Sequence, residues 1–278
     1  MHSSTPKKIL AVVCSFLLSL LAFLLLVAIC TKMTFFDKGF YLSNIAKTHY
    51  YEKVTSYLME DFTSLGIPGG IPDEVFKNTI SQDDVQTEIM ACIDTSFSGK
   101  TYQIRSNAVK QKLYSAFLDY AKQQHKREAT DQEQQALQEL ASECEKVYIQ
   151  NVRFPFIQQI SGAKALYDRF FIPAAIILGV LCVLLGVAIW FTQRWRHRAI
   201  RLYVYAGVGC SLTGILFPLY MLIWAPYKQL NIQPPALHSL LTSMASQYLI
   251  SLLVVFVVVG LLCTVLAPIY RKLKNKVL

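Results

Sequence analysis

The chain has 278 residues, of which 54% are hydrophobic and only 16% are charged, against roughly 25% charged residues in a soluble domain. This balance argues against a soluble protein. The net charge of +9 does not indicate nucleic acid as a partner, because all 18 acidic residues and 16 of the 27 Lys and Arg residues lie within residues 32–169, which are therefore close to neutral.

Four apolar runs are long enough to cross a bilayer. They cover residues 9–30, 170–192, 202–224 and 248–270, and none of them contains a charged residue. About 20 apolar residues in a helix span the hydrocarbon core, so the sequence predicts an all-α membrane protein with four transmembrane helices. The first run follows Lys7 and Lys8 and is longer than the apolar part of a signal peptide, so we expect it to remain as an anchor.

The basic residues outside the central segment predict which side of the membrane each part faces. Because cytoplasmic loops carry an excess of Lys and Arg, residues 1–8, the link 193–201 and the tail 271–278 are predicted to be cytoplasmic. Residues 31–169 and the link 225–247 are then extracytoplasmic, in a multi-pass protein of the cell membrane with both termini inside. The basic residues expected to contact anionic inner-leaflet lipid are Arg194, Arg196, Arg198, Arg201, Arg271, Lys272, Lys274 and Lys276.

The segment 31–169 is predicted to be an extracytoplasmic helical domain. Apolar residues recur every three or four positions in the stretches 50–65, 85–97, 109–120 and 137–148, which is the spacing of amphipathic helices. Ser81 with Asp84, and Thr130 with Glu133, have the spacing of capping boxes at helix N-termini. The segment is long enough to build its own core.

Two extracytoplasmic segments are predicted to form a binding surface. The first is the loop 66–72, in which Gly and Pro residues favour turns. The second is a short helix after Pro234 and Pro235, whose apolar face either lies on the membrane surface or packs under the outer domain. The residues of this candidate surface are Gly66, Ile67, Pro68, Gly69, Gly70, Ile71, Pro72, Leu237, Leu240, Leu241 and Met244.

Two of the seven cysteines, Cys92 and Cys144, lie within the predicted outer domain away from the spans. An oxidising exterior allows a disulfide between them. The alternative is a pair of buried thiols that act as small apolar side chains. The sequence leaves both possibilities open.

Small residues recur at a spacing of four within the predicted spans. They are Ala11, Ser15 and Ser19, then Ala175 and Gly179, then Gly207 and Ser211, then Gly260 and Thr264. Such faces allow helices to approach closely. They indicate either a packed four-helix bundle or contact with the helices of a partner.

Catalytic and cofactor-binding patterns are missing from the sequence. The five histidines are scattered, and there is neither a Cys-x-x-Cys pair nor a glycine-rich phosphate loop. Charged residues inside the membrane usually mark ion paths or catalysis, and the four apolar runs contain no Asp, Glu, Lys, Arg or His. We therefore expect no enzyme activity, no cofactor and no metal site.

The part of the chain around the loop carries a resemblance to other proteins. Residues 65–104, with Gly66-Ile67-Pro68 and the run Ile71-Pro72-Asp73-Glu74-Val75-Phe76, resemble uncharacterised four-span membrane proteins of Gram-positive bacteria. The resemblance extends to the layout of the whole chain and implies no function. The extracytoplasmic segments also lack an Asn-x-Ser/Thr sequon, which is consistent with a bacterial origin.

This layout favours a non-enzymatic membrane protein. Almost nothing lies on the cytoplasmic side, so the outer domain is expected to bind a protein, peptide or envelope component, as an accessory or sensing subunit of a membrane or envelope partner. The alternative is an oligomeric channel or transporter component, in which uncharged small-residue faces line a path. A homo-oligomer is compatible with either function.

Overall fold

The computed structural model describes residues 5–98, 100, 102–154, 157–193 and 196–275, and the regular elements within these residues are all helices. This confirms the all-α class. Single turns of 3-10 helix occur at Ile67–Gly69 and Pro226–Gln229. The α-helices of this part of the chain are α1 (Thr5–Thr34), α2 (Lys38–Lys47), α3 (Tyr50–Gly66), α4 (Asp73–Thr79), α5 (Gln82–Phe97), α6 (Ser106–His125), α7 (Asp131–Val152), α8 (Ile157–Thr192), α9 (Arg196–Trp224) and α10 (Pro235–Asn275).

Four of these helices are long and apolar enough to cross a membrane. The membrane-length stretches are Ile9–Thr34 in α1, Gly162–Thr192 in α8, Arg198–Gln229, which extends past the end of α9, and Pro235–Val265 in α10. The four predicted spans are therefore confirmed as helices of membrane length. All four helices are longer than the charge-free runs, because polar residues at helix ends can continue the helix while they reach the interface.

The short helix predicted after Pro234 and Pro235 is not a separate α-helix, and this part of the prediction is wrong. α10 runs without a break from Pro235 to Asn275, so the apolar residues predicted for a short helix form its first turns. Pro235 is suited to the first position of a helix, and neither Gly nor Pro occurs between residues 236 and 259 to end it. The short helix and the fourth span are one element.

The chain divides into two compact units. The span unit contains Met1–Phe40, Leu166–Asn231 and Leu241–Leu278, and therefore most of the four membrane-length helices. The helical unit contains Tyr41–Ala165 and Ile232–Leu240. Each unit has buried side chains of its own.

In the span unit, small and hydroxyl side chains lie where helices meet. The hydroxyl of Ser15 in α1 donates a hydrogen bond to the carbonyl of Leu202 over 2.9 Å, and the hydroxyl of Ser211 in α9 donates one to the carbonyl of Phe256, also over 2.9 Å. A side chain placed on Gly179 of α8 would instead meet nothing within 4 Å. Two buried apolar clusters accompany these contacts; they comprise Ala11, Cys14, Ile189, Ala199 and Leu202, and Cys30, Cys210, Leu252 and Phe256.

In the helical unit, α3 contacts α4, α5 and α7. Its predicted apolar stripe is confirmed, because Tyr50, Val54, Leu58 and Phe62 recur every fourth position and are all buried. The ring of Phe62 lies 5.6 Å from that of Phe76 in α4, and Phe76 in turn lies 5.4 Å from Phe117 in α6. This line of rings joins α3, α4 and α6 through one core.

The predicted capping boxes are both present. The hydroxyl of Ser81 accepts from the backbone N–H of Asp84, and the hydroxyl of Thr130 accepts from that of Glu133. Each acidic side chain accepts in return from the backbone N–H of its cap residue. The boxes satisfy N–H groups that the first turn of a helix leaves without partners, and so they fix the starts of α5 and α7.

Candidate functional site

An open groove of about 580 Å³ lies on the helical unit, between α6, α7 and the loop that follows α3. This volume is within the range of roughly 300–1,000 Å³ that is usual for ligand sites. The lining is mostly apolar and comprises Leu65, Pro68, Gly69, Gly70, Ile71, Phe117, Tyr120, Ala121, Gln124, His125, Glu133, Ala136, Leu137 and Leu140.

The loop side of the groove depends on two glycines. Gly66 ends α3 so close to the ring of Phe76 that a Cβ atom would lie 2.7 Å from Cε2 of that ring. Gly70 has a φ of 65°, the left-handed conformation that glycine adopts at little cost. The backbone N–H of Ile71 donates to the carbonyl of Gly66 over 3.1 Å, which closes the loop and buries the Ile71 side chain.

The helix side of the groove is apolar at its base and polar at its mouth. Phe117 is fully buried, and Leu140 is half-buried beneath the opening. The phenol of Tyr120 donates to the carbonyl of Gly70 over 3.3 Å and so connects α6 with the loop. Gln124 lies exposed at the C-terminal end of α6, where polar side chains replace the apolar ones.

The carboxylate of Glu133 lies at the mouth of the groove. The guanidinium of Arg127 donates to both of its oxygens, over 2.9 and 2.7 Å. This pairing, together with the capping hydrogen bonds from Thr130, lowers the pKa of Glu133 to about 2. Glu133 is therefore ionised at neutral pH and its charge is balanced by Arg127.

The groove contains part of the binding surface that the sequence predicts. Of the loop residues, Pro68, Gly69, Gly70 and Ile71 line it. Ile67 lies in the same loop, and 71% of its surface is exposed. Gly66 is buried and Pro72 is the residue before α4, so both support the loop.

The four α10 residues predicted for the same surface do not contribute an open face. Leu237, Leu240 and Met244 are buried, and Leu241 is half-buried. Leu237 and Leu240 belong to the helical unit, whereas Leu241 and Met244 belong to the span unit. These side chains fill cores, because an apolar helix face is stabilised by burial wherever a neighbouring element can cover it.

Cys92 and Cys144 are free, buried thiols in the structure and not a disulfide. Burial raises the pKa of the Cys144 thiol to about 12, and burial also raises the pKa of Cys92. The thiolate is the nucleophilic form. Of the two arrangements that the sequence left open, the structure has the pair of buried thiols.

The basic residues predicted to contact inner-leaflet lipid are described in part. Arg198 and Arg201 are exposed on α9, and Arg201 lies 6.0 Å from the centre of the Tyr205 ring. The backbones of Arg196, Arg271, Lys272 and Lys274 are helical. Arg194 and Lys276 lie outside the described residues.

Sequence reasoning missed the α6 and α7 side of the groove. Phe117, Tyr120, Leu137 and Leu140 fall within the stretches predicted as amphipathic helices, whereas Ala121, Gln124, His125, Glu133 and Ala136 lie outside them. Spacing identifies an apolar face but not whether another element covers it. It also missed Glu88, a buried carboxylate that accepts from the phenol of Tyr102 and from the backbone N–H of Arg105, each over 2.7 Å. Those bonds hold the chain entering α6, so Glu88 has a structural role.

Neither a cluster of metal ligands in the described residues nor a match to a known protein indicates a further site. Within the described residues, no three His, Cys, Asp or Glu side chains lie together in an arrangement that could hold a metal ion. The chain matches no protein-family model, no curated protein and no solved structure.

Proposed function

We propose that this protein is a non-enzymatic, multi-pass protein of the bacterial cell membrane, whose helical unit lies outside the cytoplasm and binds a protein or peptide in the groove. The groove between α6, α7 and the loop carries this proposal. It combines an apolar base with a polar mouth and an ion-paired carboxylate. Binding sites typically have this composition, with apolar contacts for affinity and a few polar groups for orientation.

The charge distribution supports this placement in the membrane. Exposed Arg198 and Arg201 lie on α9, where cytoplasmic Lys and Arg are expected by the positive-inside rule. The near-neutral segment 32–169 has no comparable excess. A helical unit inserted between two membrane-length helices favours an accessory or sensing subunit that acts through a membrane or envelope partner.

Affinity isolation with two matched variants tests the proposal. Ala136 is exposed and lines the groove, and Ala108 is exposed on α6 outside it. The wild-type chain and an Ala108→Glu variant, gently extracted from native membranes, are expected to retain a stoichiometric partner, and Ala136→Glu is expected to lose it. A partner retained equally by all three chains, or a homo-oligomer alone, would contradict binding at the groove.

A further inference from the structure

The two helices that border the groove present faces of the same pattern. Each helix contributes four lining residues spaced i, i+3, i+4 and i+7, which places them on one side of a helix over two turns, and α6 contributes His125 as a fifth. The α6 face is Phe117, Tyr120, Ala121 and Gln124, and the α7 face is Glu133, Ala136, Leu137 and Leu140. This is the spacing by which helices pack along a common seam.

These faces are incompletely covered. α6 and α7 pack against each other, and Phe117 at the base of the groove is fully buried. Toward the mouth, Leu137 is only half-buried and Ala136 is exposed. The helices thus leave a part of each apolar face accessible, and a third apolar face of the same period would cover both.

Charge at the mouth is balanced. Arg127 is paired with Glu133 at 2.7 Å, and Lys122 lies 3.8 Å from Glu128. Residues 122–133 contain three basic and three acidic side chains. The groove therefore offers no net charge to a strongly acidic or basic ligand, and the apolar contacts determine what it binds.

Backbone chemistry favours a helical occupant over an extended one. A peptide that binds as an added β-strand needs the free N–H and C=O groups of a strand edge, and the regular elements of the described residues are all helices. The groove walls are the C-terminal half of α6 and the N-terminal half of α7. Apart from the terminal turns, the backbone groups of these walls are bonded within each helix. A helix satisfies its own backbone groups and needs only side-chain contacts.

We propose that the groove binds an amphipathic α-helix of a partner protein, which lays one uncharged apolar face against α6 and α7 as the third helix of the packing. This inference rests on the proposed function, because it names the class of ligand for the same groove. The apolar residues of the partner helix recur every three or four positions, and its opposite face remains polar and solvated.

Selection from a peptide library tests this inference without knowledge of the partner. The probe is a phage-displayed library of random peptides of about 16 residues, or roughly 24 Å of helix. It is selected on the full-length chain in nanodiscs after depletion on empty nanodiscs. Enriched sequences are expected to place apolar residues at i, i+3 or i+4, and i+7.

Synthetic peptides from the selection then report on the site and on the conformation. Their affinity is expected to fall at least about tenfold with Ala136→Glu, since a charge would be buried without a partner, and to change less than about twofold with Ala108→Glu. A proline in the middle of the peptide is expected to weaken binding about tenfold or more, because it breaks a helix.

The two proposals fail in different ways. Peptides that are lost with Ala136→Glu but have apolar residues at every second position would overturn the helical ligand and leave binding at the groove intact. An absence of enrichment, or binding that is insensitive to Ala136→Glu, would overturn both.

Discussion

At the residue scale, the loop beside the groove depends on two glycines for different physical reasons. A Cβ atom at Gly66 would lie 2.7 Å from Phe76 Cε2 and 3.0 Å from the carbonyl oxygen of Ile71. At Gly70 a Cβ atom would meet nothing within 4 Å, and only the positive φ of 65° disfavours other residues. Sterics therefore constrain the first position and backbone conformation the second.

Substitution of these glycines is expected to separate the two effects. Gly66→Ala is expected to lower the free energy of unfolding by about 1–3 kcal/mol, because the buried Phe76 ring must move. Gly70→Asn is expected to cost less than about 1 kcal/mol, because Asn tolerates the left-handed conformation. Thermal unfolding of the purified chain in detergent measures both, and equal losses would refute the steric contact at Gly66.

The ion pair of Glu133 predicts how the start of α7 responds to acid. Arg127 holds the folded-state pKa of Glu133 at about 2, below a reference value of about 4.3 for the unfolded chain. A lowered pKa in the folded state stabilises it above the unfolded pKa, and this contribution disappears as the pH falls through about 4 toward 2. Acidification is therefore expected to loosen the first turn of α7.

Hydrogen exchange of the α7 backbone amides measures this effect as protection relative to the unfolded chain. In the wild type, protection of the first turn is expected to decrease as the pH falls from about 5 to about 2. In Glu133→Gln it is expected to be lower at pH 5 and to depend less on pH. Identical profiles for the two chains would show that the ion pair does not hold the turn.

At the element scale, local sequence signals predicted where helices start. They did not predict which apolar helix faces are buried by neighbouring elements. The boxes at Ser81 and Thr130 were identified because the cap and its partner are three residues apart in sequence. α6 has no such local signal, because the residue before it is Arg105, whose side chain makes no capping hydrogen bond. Local chemistry thus determines an N-terminus only where the side chain makes the capping bond.

Whether an apolar helix face is buried depends on contacts between residues that are far apart in sequence. The spacing of Leu237 and Leu240 showed an apolar face on α10 but not the neighbours that bury it. The same spacing at Leu137 and Leu140 showed an apolar face on α7 but not that the groove leaves it partly open. Whether Cys92 and Cys144 form a disulfide also could not be predicted from spacing, because it depends on the distance between them in the fold.

Helix packing in the span unit predicts opposite results at two glycines. A Cβ atom at Gly214 of α9 would overlap the ring of Phe256, which is buried and stacks on Phe23 at 5.4 Å. Gly214→Ala is expected to destabilise the chain by about 1–3 kcal/mol. Gly179→Ala on α8, where a Cβ atom meets nothing, is expected to be neutral or slightly stabilising.

Thermal unfolding in one detergent compares the two alanine variants with the wild type. A loss at Gly179 as large as that at Gly214 would mean that α8 packs against another chain through its small-residue face. A neutral Gly214→Ala would mean that α9 and α10 do not pack closely at Phe256.

At the scale of the whole molecule, polar contacts within the four spans argue against the alternative function of a channel. The hydroxyls of Ser15 and Ser211 donate to backbone carbonyls at helix contacts, so these polar groups are directed at the protein and not at a path for solutes. Liposomes containing the purified chain are expected to show no ion flux above that of empty liposomes. Flux that rises with the amount of protein would favour the channel.

The charge distribution also predicts which parts of the chain face the cytoplasm. The exposed Arg198 lies in the basic region around the start of α9, and the exposed Asp119 lies in the near-neutral helical unit. Because Lys and Arg concentrate on the cytoplasmic side, a membrane-impermeant maleimide is expected to label Asp119→Cys on intact cells and Arg198→Cys only after permeabilisation. The native cysteines are buried or half-buried, so the unsubstituted chain serves as the low-labelling control. Labelling of Arg198→Cys on intact cells, with Asp119→Cys protected, would invert the topology and place the groove in the cytoplasm.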